Sequence, residues 1–219
     1  MKTRLLSLII ALALPMLTAC TGGFINEPDN PNSGNTDIPE KTETAFNGTV
    51  ASFVSKYNSA SATELQKAFN NKTLIFTDSQ AWSEDLGTIL ARINTFVSDD
   101  KVSETSGKYF KVQMPNLVGD IPANAFYGCF GLTQFYAPKM KGSINKDAFH
   151  GVEDKLKDLT LGAVSYADDA SFRGMTTSSC NLTFTAAPTV PGQTLEPSNI
   201  AYKSRWPSSG RTWNKLVIK

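Results

Sequence analysis

Few residues in this chain have the types and spacing that catalysis requires. The sequence contains one histidine, His150, whereas a serine or cysteine nucleophile needs a nearby base that a carboxylate orients. It contains no Gly-x-Ser-x-Gly, no phosphate-binding loop and no cysteines and histidines at metal-ligand spacing. The acidic pairs Asp99-Asp100 and Asp168-Asp169 lie in turn-like sequence without the ligand spacing of a calcium loop. We therefore predict no catalytic residue, no metal site and no cofactor.

The chemistry that the N-terminus indicates is lipid attachment. Two basic residues precede an apolar run, residues 5–14, which has the length of a signal-peptide core and is short for a membrane span. The segment LTAC, residues 17–20, follows the run and resembles the lipobox of bacterial lipoproteins. The resemblance implies removal of a signal peptide, residues 1–19, and acylation of Cys20 with several chains, which anchors a protein stably to a membrane. An ordinary secretory signal with a chance cysteine is the alternative.

The residues after Cys20 bear on the membrane in which the anchor lies. Thr21 follows the cysteine, whereas in Gram-negative lipoproteins an aspartate at that position tends to retain the protein at the inner membrane. Glu27 and Asp29 form a thin acidic cluster of the kind that marks surface export in some such bacteria. The resemblance therefore implies a lipid-anchored protein of the outer membrane, on the cell surface rather than on the periplasmic face.

Residues 20–45 are predicted to be the lipidated cysteine followed by a disordered tether. They are rich in Asn, Gly, Pro, Thr and acidic residues, and their sizeable apolar residues are Phe24, Ile25 and Ile38 alone. Such a segment cannot bury enough apolar surface to offset its ordering entropy. A coil of this length has a reach of about 25–30 Å, which lifts a folded domain clear of the lipid headgroups.

The rest of the chain has the length and composition of one folded domain. Hydrophobic residues make up 41% of the sequence, which supports a core, and the formal net charge is +1. Since the sequence has no basic run, we do not expect nucleic acid as a partner.

A repeat with a period of 23 residues occupies the middle of the chain. PNLVGDIPANAF, residues 115–126, and PKMKGSINKDAF, residues 138–149, share Pro, Gly, Ile and a closing Ala-Phe at matched positions. Short stretches with alternating apolar residues recur at nearly the same period, which is the pattern of half-buried strands. A fixed period of this size indicates a solenoid, because one coil cannot bury its apolar face alone and stacked coils make the core. The predicted strands contain residues 112–114, 135–137, 159–161 and 182–184, and the aromatic recurs as Phe126, Phe149 and Phe172.

The segment IPANAFYGCFGLTQFYAP, residues 121–138, makes the repeat specific. It resembles the BspA-type leucine-rich repeat of surface lipoproteins from anaerobic Gram-negative bacteria, over residues 108–184. The resemblance implies an α/β fold, a short leucine-rich-repeat solenoid of about four coils at 109–185, with stacked parallel strands opposite a wall of Ala-Phe turns. Some members bind extracellular-matrix proteins, epithelial surfaces or other bacteria, which favours binding or adhesion as the function. The third repeat departs from the pattern, because it lacks the Gly-x-Ile pair and has Ser171 before its Phe.

Open solenoids need capped ends, and the sequence before the repeats predicts such a cap. Residues 46–108 are expected to form a helical N-terminal cap, in which a strand at 73–77 and a helix with Ser79 as its N-cap lead into the first repeat strand as a βαβ unit. An earlier helix is opened by a capping box from Ser61 to Glu64. The apolar positions of the predicted helices are Val50, Phe53, Val54 and Tyr57, then Leu65, Ala68 and Phe69, then Trp82, Leu86, Ile89, Leu90, Ile93, Phe96 and Val97.

Residues 186–219 break the period and are predicted to form a C-terminal cap. Tyr202, Trp206 and Trp213 resemble the closing segment often seen in this family, where aromatic side chains plug the last coil. The alternative interpretation is an exposed aromatic patch that stacks on sugars.

The outward side chains of the predicted sheet are the candidate binding face. Positions one period apart lie about 4.8 Å from each other in a parallel stack, so they form columns. The columns carry polar groups around one exposed aromatic, Tyr136, which suits a modest polar interface with that residue as its anchor. The candidate residues are Lys111, Gln113, Gln134, Tyr136, Asp158, Thr160, Asn181 and Thr183.

Three classes of function account for these features. The first is a lipid-anchored binding or adhesion module of the cell envelope, which recognises an unidentified protein or glycan through the exposed sheet without catalysis. The second is a structural or accessory subunit of an outer-membrane assembly. The third is a glycan-active enzyme, which accounts for the aromatic residues but lacks an acid/base pair.

The remaining cysteines and the histidine are expected to have structural positions. Cys129 and Cys180 occupy similar phases of the repeat two rungs apart, a separation of about 9–10 Å, whereas a disulfide spans at most about 7 Å between Cα atoms. We predict that both are reduced and that Cys129 is buried as a small apolar filler. His150 is predicted to face solvent in a column with Tyr127 and Arg173.

Overall fold

The structure is a computed structural model that describes residues 43–80, 82–93, 108–152, 155–190, 193–194, 206–207 and 211–219. These residues belong to one compact unit, Lys41–Lys219. The predicted signal peptide, Cys20 and the tether up to residue 42 lie outside the described residues, as do Tyr202 and the Asp99-Asp100 pair. Within the described ranges, no helix is long and apolar enough to cross a membrane.

Seven parallel strands form the main sheet of the described part of the chain. The strands, in chain order, are β1 (Thr44–Gly48), β2 (Lys72–Phe76), β3 (Phe110–Gln113), β4 (Leu132–Ala137), β5 (Ser143–Ile144), β6 (Asp158–Leu161), β7 (Tyr166–Ala167), β8 (Asn181–Phe184), β9 (Thr189–Val190), β10 (Gln193–Thr194) and β11 (Lys215–Ile218). The main sheet has the order β1-β2-β3-β4-β6-β8-β11, so neighbours in the sheet follow each other along the chain. This arrangement confirms an α/β fold with a parallel sheet and is compatible with a solenoid.

The four predicted repeat strands are confirmed as β3, β4, β6 and β8. Val112 pairs with Phe135, Phe135 with Leu159, and Leu159 with Leu182. All four side chains are fully buried, whereas the residues that flank them in each strand are at least partly exposed. The alternation of apolar and polar residues therefore arises because one face of each strand packs in the core, as the sequence indicated.

A second, narrower set of pairs stacks at the same period. β5 and β7 pair in parallel, with Ile144 opposite Ala167, and Ile121 of the first repeat bridges to Ile144. All three side chains are buried. The Gly-x-Ile positions of the repeat thus form their own short parallel wall, with alanine in place of isoleucine in the third repeat.

The recurring phenylalanines form a continuous aromatic column inside the fold. Phe126 stacks on Phe149 with ring centroids 5.1 Å apart, and Phe149 stacks on Phe172 with centroids 5.4 Å apart. Trp82 contacts Phe126 edge-on at 5.3 Å, and Trp213 contacts Phe172 edge-on at 5.3 Å. Tryptophans from outside the repeats therefore close both ends of the column, in the offset and edge-to-face geometries that aromatic pairs favour.

The turns that carry these phenylalanines repeat in backbone conformation as well. The glycine two residues after each phenylalanine has a φ of +72° to +77°, which glycine adopts without steric cost. Asn124 and Asp147, two residues before the first and second phenylalanines, have φ of +59° and +58°. Ala170 replaces them in the third repeat, where φ is not positive. The departure of the third repeat from the sequence pattern therefore extends to its backbone.

Three helices lie before the repeats in the described residues: α1 (Val50–Tyr57), α2 (Ala62–Phe69) and α3 (Glu84–Arg92). The predicted capping box of α2 is confirmed, since the Glu64 amide donates to the Ser61 hydroxyl at 3.3 Å and the Ser61 amide donates to the Glu64 carboxylate at 2.8 Å. These two bonds satisfy amide groups that a helix N-terminus otherwise leaves without partners.

The predicted N-cap of α3 is wrong. The helix begins at Glu84, and its N-cap is Ser83, whose hydroxyl accepts a hydrogen bond from the Asp85 amide at 3.3 Å. Ser79 lies in the preceding loop, where its carbonyl accepts from the Val118 amide at 2.8 Å. Ser79 is thus part of a loop that contacts the first repeat, and the helix starts five residues later. The expected apolar positions 96–97 lie outside the described residues.

The main sheet extends beyond the repeats in both directions. β1 begins at Thr44, inside the segment predicted as tether, and pairs with β2. β11 adds a strand after the repeats by pairing with β8. Neither strand carries the pattern of the repeat, and each forms where a neighbouring strand offers a partner, since strand preference depends strongly on context.

Trp206 and Trp213 are buried, with 2% and 4% of their surface exposed. The Trp206 ring lies 4.9 Å from Phe184 and 5.9 Å from Phe172. The Trp213 Nε1 donates a hydrogen bond to the Trp206 carbonyl, so its polar group is satisfied inside the core. These two tryptophans therefore do not form an exposed patch for sugar stacking and instead fill the core beside the last repeat.

Candidate functional site

The structure brings the eight candidate residues together on one face of the main sheet. Two columns are defined by strand register: the first consists of Gln113, Tyr136, Thr160 and Thr183, and the second of Lys111, Gln134, Asp158 and Asn181. Every one of these residues is at least partly exposed. The predicted columns are confirmed, and their role in binding stays a prediction.

Tyr136 is the aromatic residue of the two columns. It lies in register between Gln113 and Thr160 and is half-buried. A tyrosine flanked by shorter polar side chains presents a rigid, amphipathic surface that loses little conformational entropy on binding. This geometry keeps Tyr136 as the strongest candidate for an anchor residue.

The second column is held in place by side-chain hydrogen bonds. The Asn181 Nδ2 donates to the Asp158 Oδ1 at 3.0 Å, and the Asn214 Nδ2 donates to the Asn181 Oδ1 at 2.8 Å. Both ends of the Asn181 amide are therefore engaged, which fixes its orientation before any ligand arrives. Asn214 was missed in the sequence, because it precedes a strand outside the repeats.

The columns continue past the repeats into residues that sequence reasoning also missed. Ile75 pairs with Gln113 at one end of the first column, and Val217 pairs with Thr183 at the other. Both aliphatic side chains are half-buried. The polar centre of the face is thus bounded by apolar residues. The available signal was that TLIF and KLVI are short, mostly apolar runs typical of strands.

His150 is half-buried, which corrects the prediction that it simply faces solvent. Its ring contacts Tyr127 edge-on at 4.9 Å, and its Nδ1 lies 3.7 Å from the Asp147 Oδ1, too far for a hydrogen bond. Asp147 is 7% exposed, and its Oδ2 accepts from Arg173 at 3.0 Å. The tyrosine ring and the buried carboxylate hold the imidazole against the turn, which explains its partial burial.

The two described cysteines are free and buried, which confirms the prediction of reduced thiols. Burial raises the pKa of Cys129, and burial together with the nearby Asp158 raises the pKa of Cys180 to about 12. A thiol that keeps its proton is a poor nucleophile. Both residues act as apolar filler in this structure.

The acidic pair in the third repeat has a structural position. The Asp168 Oδ1 accepts a hydrogen bond from the Ala170 amide at 2.8 Å, and the Asp169 carbonyl accepts from Arg211 at 3.5 Å. The first bond closes a turn on the aspartate's own backbone, a common use of this side chain. Across the described ranges, no three His, Cys, Asp or Glu side chains cluster in a way that could hold a metal ion.

Comparisons of the chain with protein-family models, with curated proteins and with solved structures found no match. The structure itself therefore defines the class of the protein. It is an α/β protein with a parallel sheet, and one face of the sheet exposes two columns of mostly polar side chains that lie in strand register.

Proposed function

We propose that this protein is a lipid-anchored binding or adhesion module of the cell envelope, in the outer membrane and on the cell surface. Its fold is proposed to be a BspA-type leucine-rich-repeat solenoid of about four coils, capped by residues 46–108 and 186–219. The common period of strands, short wall and turns supports the solenoid. The tryptophans at both ends of the phenylalanine column support the caps.

The observation that carries the proposed function is the pair of columns around Tyr136. Their side chains are not required by the core, yet Asn181 is held in one orientation by Asp158 and Asn214. The eight candidate residues include one basic residue, Lys111, and one acidic residue, Asp158, and strand register places Lys215 beside Asn181. A nearly neutral, hydrogen-bonding surface with a central aromatic suits a protein or glycan ligand.

The proposed function is binding without catalysis. Both cysteine thiols in the described part of the chain are buried with raised pKa values, and His150 is packed between Tyr127 and Asp147, outside the columns. The chemistry left on the face is hydrogen bonding and aromatic contact, which positions a ligand and does not activate it.

The test of this face compares two tyrosines. Wild-type protein, Tyr136→Ala and Tyr166→Ala are assayed against a glycan array and a panel of immobilised matrix and outer-membrane proteins. Tyr166 is the matched control, because it is 41% exposed but lies on β7, outside the columns. We expect Tyr136→Ala to weaken a bound ligand about tenfold, as for an anchor residue, and Tyr166→Ala to bind as wild type.

Gln134→Ala removes a neighbouring polar group and is expected to weaken the same ligand without changing the circular dichroism spectrum. If every ligand of the wild type also binds Tyr136→Ala and Gln134→Ala as tightly as it binds the wild type, the columns bind none of them and the proposal is contradicted.

The alternative, an accessory subunit of an outer-membrane assembly, is distinguished by exposure on intact cells. An adhesion module is cleaved when protease is added to intact cells. A subunit facing the periplasm is protected until the outer membrane is permeabilised, and that result would replace the adhesion proposal with the accessory-subunit alternative.

A further inference from the structure

A groove lies between α3 and the turn around Phe126, separate from the two columns. Its volume is about 950 Å³, and none of its described lining residues belongs to the main sheet. Small-molecule sites in proteins have volumes of roughly 300–1,000 Å³ and combine apolar walls with a few polar groups. The groove therefore has the size of a ligand site, and its chemistry decides which ligand.

The floor of the groove is made by close packing of α3 on the first repeat. A Cβ atom at Gly87 would lie 2.6 Å from the Ala125 carbonyl oxygen, so the helix approaches the turn as closely as only glycine permits. At the other end of α3, Arg92 donates to the carbonyls of Asn58 and Ala60, at 2.8 Å each. These contacts fix α3 against the turn at Gly87 and against the segment between α1 and α2 at Arg92, which preforms the groove.

Two aromatic residues form the walls. Trp82 is packed edge-on against Phe126, and Tyr127 edge-on against His150, with centroid distances of 5.3 and 4.9 Å. Tyr127 is 54% exposed, and both aromatic residues line the groove. The rings are thus positioned by their neighbours and still present surface to a ligand.

The apolar part of the groove lacks bulk. Apart from the two aromatics and the polar residues Glu84, Arg92 and Asn124, the described lining residues are glycine, alanine, threonine and proline, and none is valine, leucine, isoleucine or methionine. A groove for an amphipathic peptide helix instead needs pockets that accept large aliphatic anchors. Flat aromatic surface next to a small-residue floor fits a thin ring with an apolar face and polar edges.

The polar groups of the groove favour a neutral ligand. Glu84 supplies carboxylate oxygens that accept hydrogen bonds, and Asn124 supplies one donor group and one acceptor; both residues are exposed. Both terminal nitrogens of Arg92 already donate to backbone carbonyls. The Arg92 Nε is buried and has no hydrogen-bond partner among the described residues. The exposed Glu84 carboxylate disfavours an anionic ligand and accepts hydrogen bonds from hydroxyl groups.

We propose that this groove binds a neutral sugar residue of a glycan. The C–H face of the pyranose packs on Trp82 and Tyr127, and its hydroxyls hydrogen-bond to Glu84 and Asn124. The site is independent of the two columns on the sheet, so it stands whether or not those columns bind a ligand.

The experiment uses the full-length protein on an array of neutral, sialylated and sulfated glycans. A lysine-rich peptide is included as a probe for the alternative that the groove binds a basic ligand. The neutral glycan with the strongest signal is then titrated calorimetrically against five proteins. These are the wild type, Tyr127→Ala, Tyr127→Phe, Glu84→Gln and the exposed-tyrosine control, Tyr166→Ala.

We expect a neutral glycan to bind with a dissociation constant in the millimolar range or below. Tyr127→Ala should weaken it about tenfold, whereas Tyr127→Phe keeps the ring and should stay within about twofold of wild type. Glu84→Gln should weaken it about three- to tenfold by removing a charge-assisted hydrogen bond, and Tyr166→Ala should have no effect. Because Glu84 is exposed and the glutamine is isosteric, that variant tests the site even if Tyr127→Ala fails to fold.

Three results would overturn the proposal. The first is that no neutral glycan binds up to millimolar concentration. The second is that only the acidic glycans or the lysine-rich peptide bind. The third is that a neutral glycan binds Tyr127→Ala and Glu84→Gln as it binds the wild type, which would place its site elsewhere.

Discussion

Ser171 occupies the position that alanine occupies in the first and second repeats. Ala125, Ala148 and Ser171 each precede a phenylalanine of the aromatic column, and they are 3%, 0% and 0% exposed. The Ser171 hydroxyl is buried and has no hydrogen-bond partner. Its backbone carbonyl accepts from the Phe149 amide at 2.8 Å, a bond that does not depend on the side chain. Ser171→Ala therefore removes one buried polar atom and restores the residue of the other repeats.

The expected effect is an increase in stability. An unsatisfied buried hydroxyl costs about 1–3 kcal/mol of desolvation. Removing the hydroxyl relieves this cost, but the loss of one oxygen atom from a packed site offsets part of the relief, because its neighbours lose dispersion contacts. We expect a net increase of about 1 kcal/mol in the free energy of unfolding, which for a unit of this size corresponds to a rise in Tm of about 2–4 °C.

The assay is urea and thermal unfolding followed by circular dichroism, with Ala148→Ser as the reciprocal variant. Ala148 stands in the equivalent position of the second repeat and is fully buried. The new hydroxyl at this position should lower the free energy of unfolding by about 1–3 kcal/mol. Equal m-values across the set would show that the change lies in the native state.

A decrease in stability for Ser171→Ala would refute the reasoning. That result would mean that the hydroxyl has a partner, such as a buried water, whose bonds are worth more than the desolvation cost. An Ala148→Ser variant that is as stable as the wild type would also contradict the reasoning, because the same buried environment would then accept a hydroxyl without a loss of stability.

Gly87→Ala should destabilise the protein by about 1–3 kcal/mol in a thermal unfolding experiment, because the new Cβ would lie 2.6 Å from the Ala125 carbonyl oxygen; a gain of about 1 kcal/mol, as in an open helix, would show that α3 can move. Cys20→Ser should release the protein from the membrane fraction, measured by fractionation and blotting, and retention at wild-type level would contradict lipidation. In the folded protein at pH 8, Cys129 and Cys180 should resist alkylation, because burial raises both thiol pKa values; after denaturation without reductant both should react, and a bridged pair would contradict their free state.

The repeat was predictable from the sequence because its signals are local and recur. Val112, Phe135, Leu159 and Leu182 each sit between side chains that face water, and the same alternation at nearly fixed spacing placed the strands and their register. The α2 capping box was equally local, since Ser61 and Glu64 bond to each other's backbone. The α3 cap was not predictable in this way, because two serines were available; Ser83 caps the helix, and Ser79 lies in a loop bonded to the first repeat.

The candidate face was predicted as far as the repeats reach. Its eight residues lie in the expected columns, but Ile75, Asn214 and Val217 join them through strands that lack the repeat pattern. The groove beside α3 had no sequence signal. Trp82 was predicted as an apolar position of a helix, but it lies just before α3, and it lines a cavity because α3 packs on the turn around Phe126.

By itself, the sequence determined which segments alternate between apolar and polar residues. It also determined which segments recur and with what period, because these properties depend on neighbours along the chain. The tertiary structure decided what depends on neighbours in space. β1 and β11 exist as strands because β2 and β8 offer them partners, and Trp206 and Trp213 are core rather than surface because they meet the last ring of the phenylalanine column. His150 is half-buried for the same reason, since the buried Asp147 and the ring of Tyr127 in the neighbouring repeat hold a side chain that its own sequence context places at the surface.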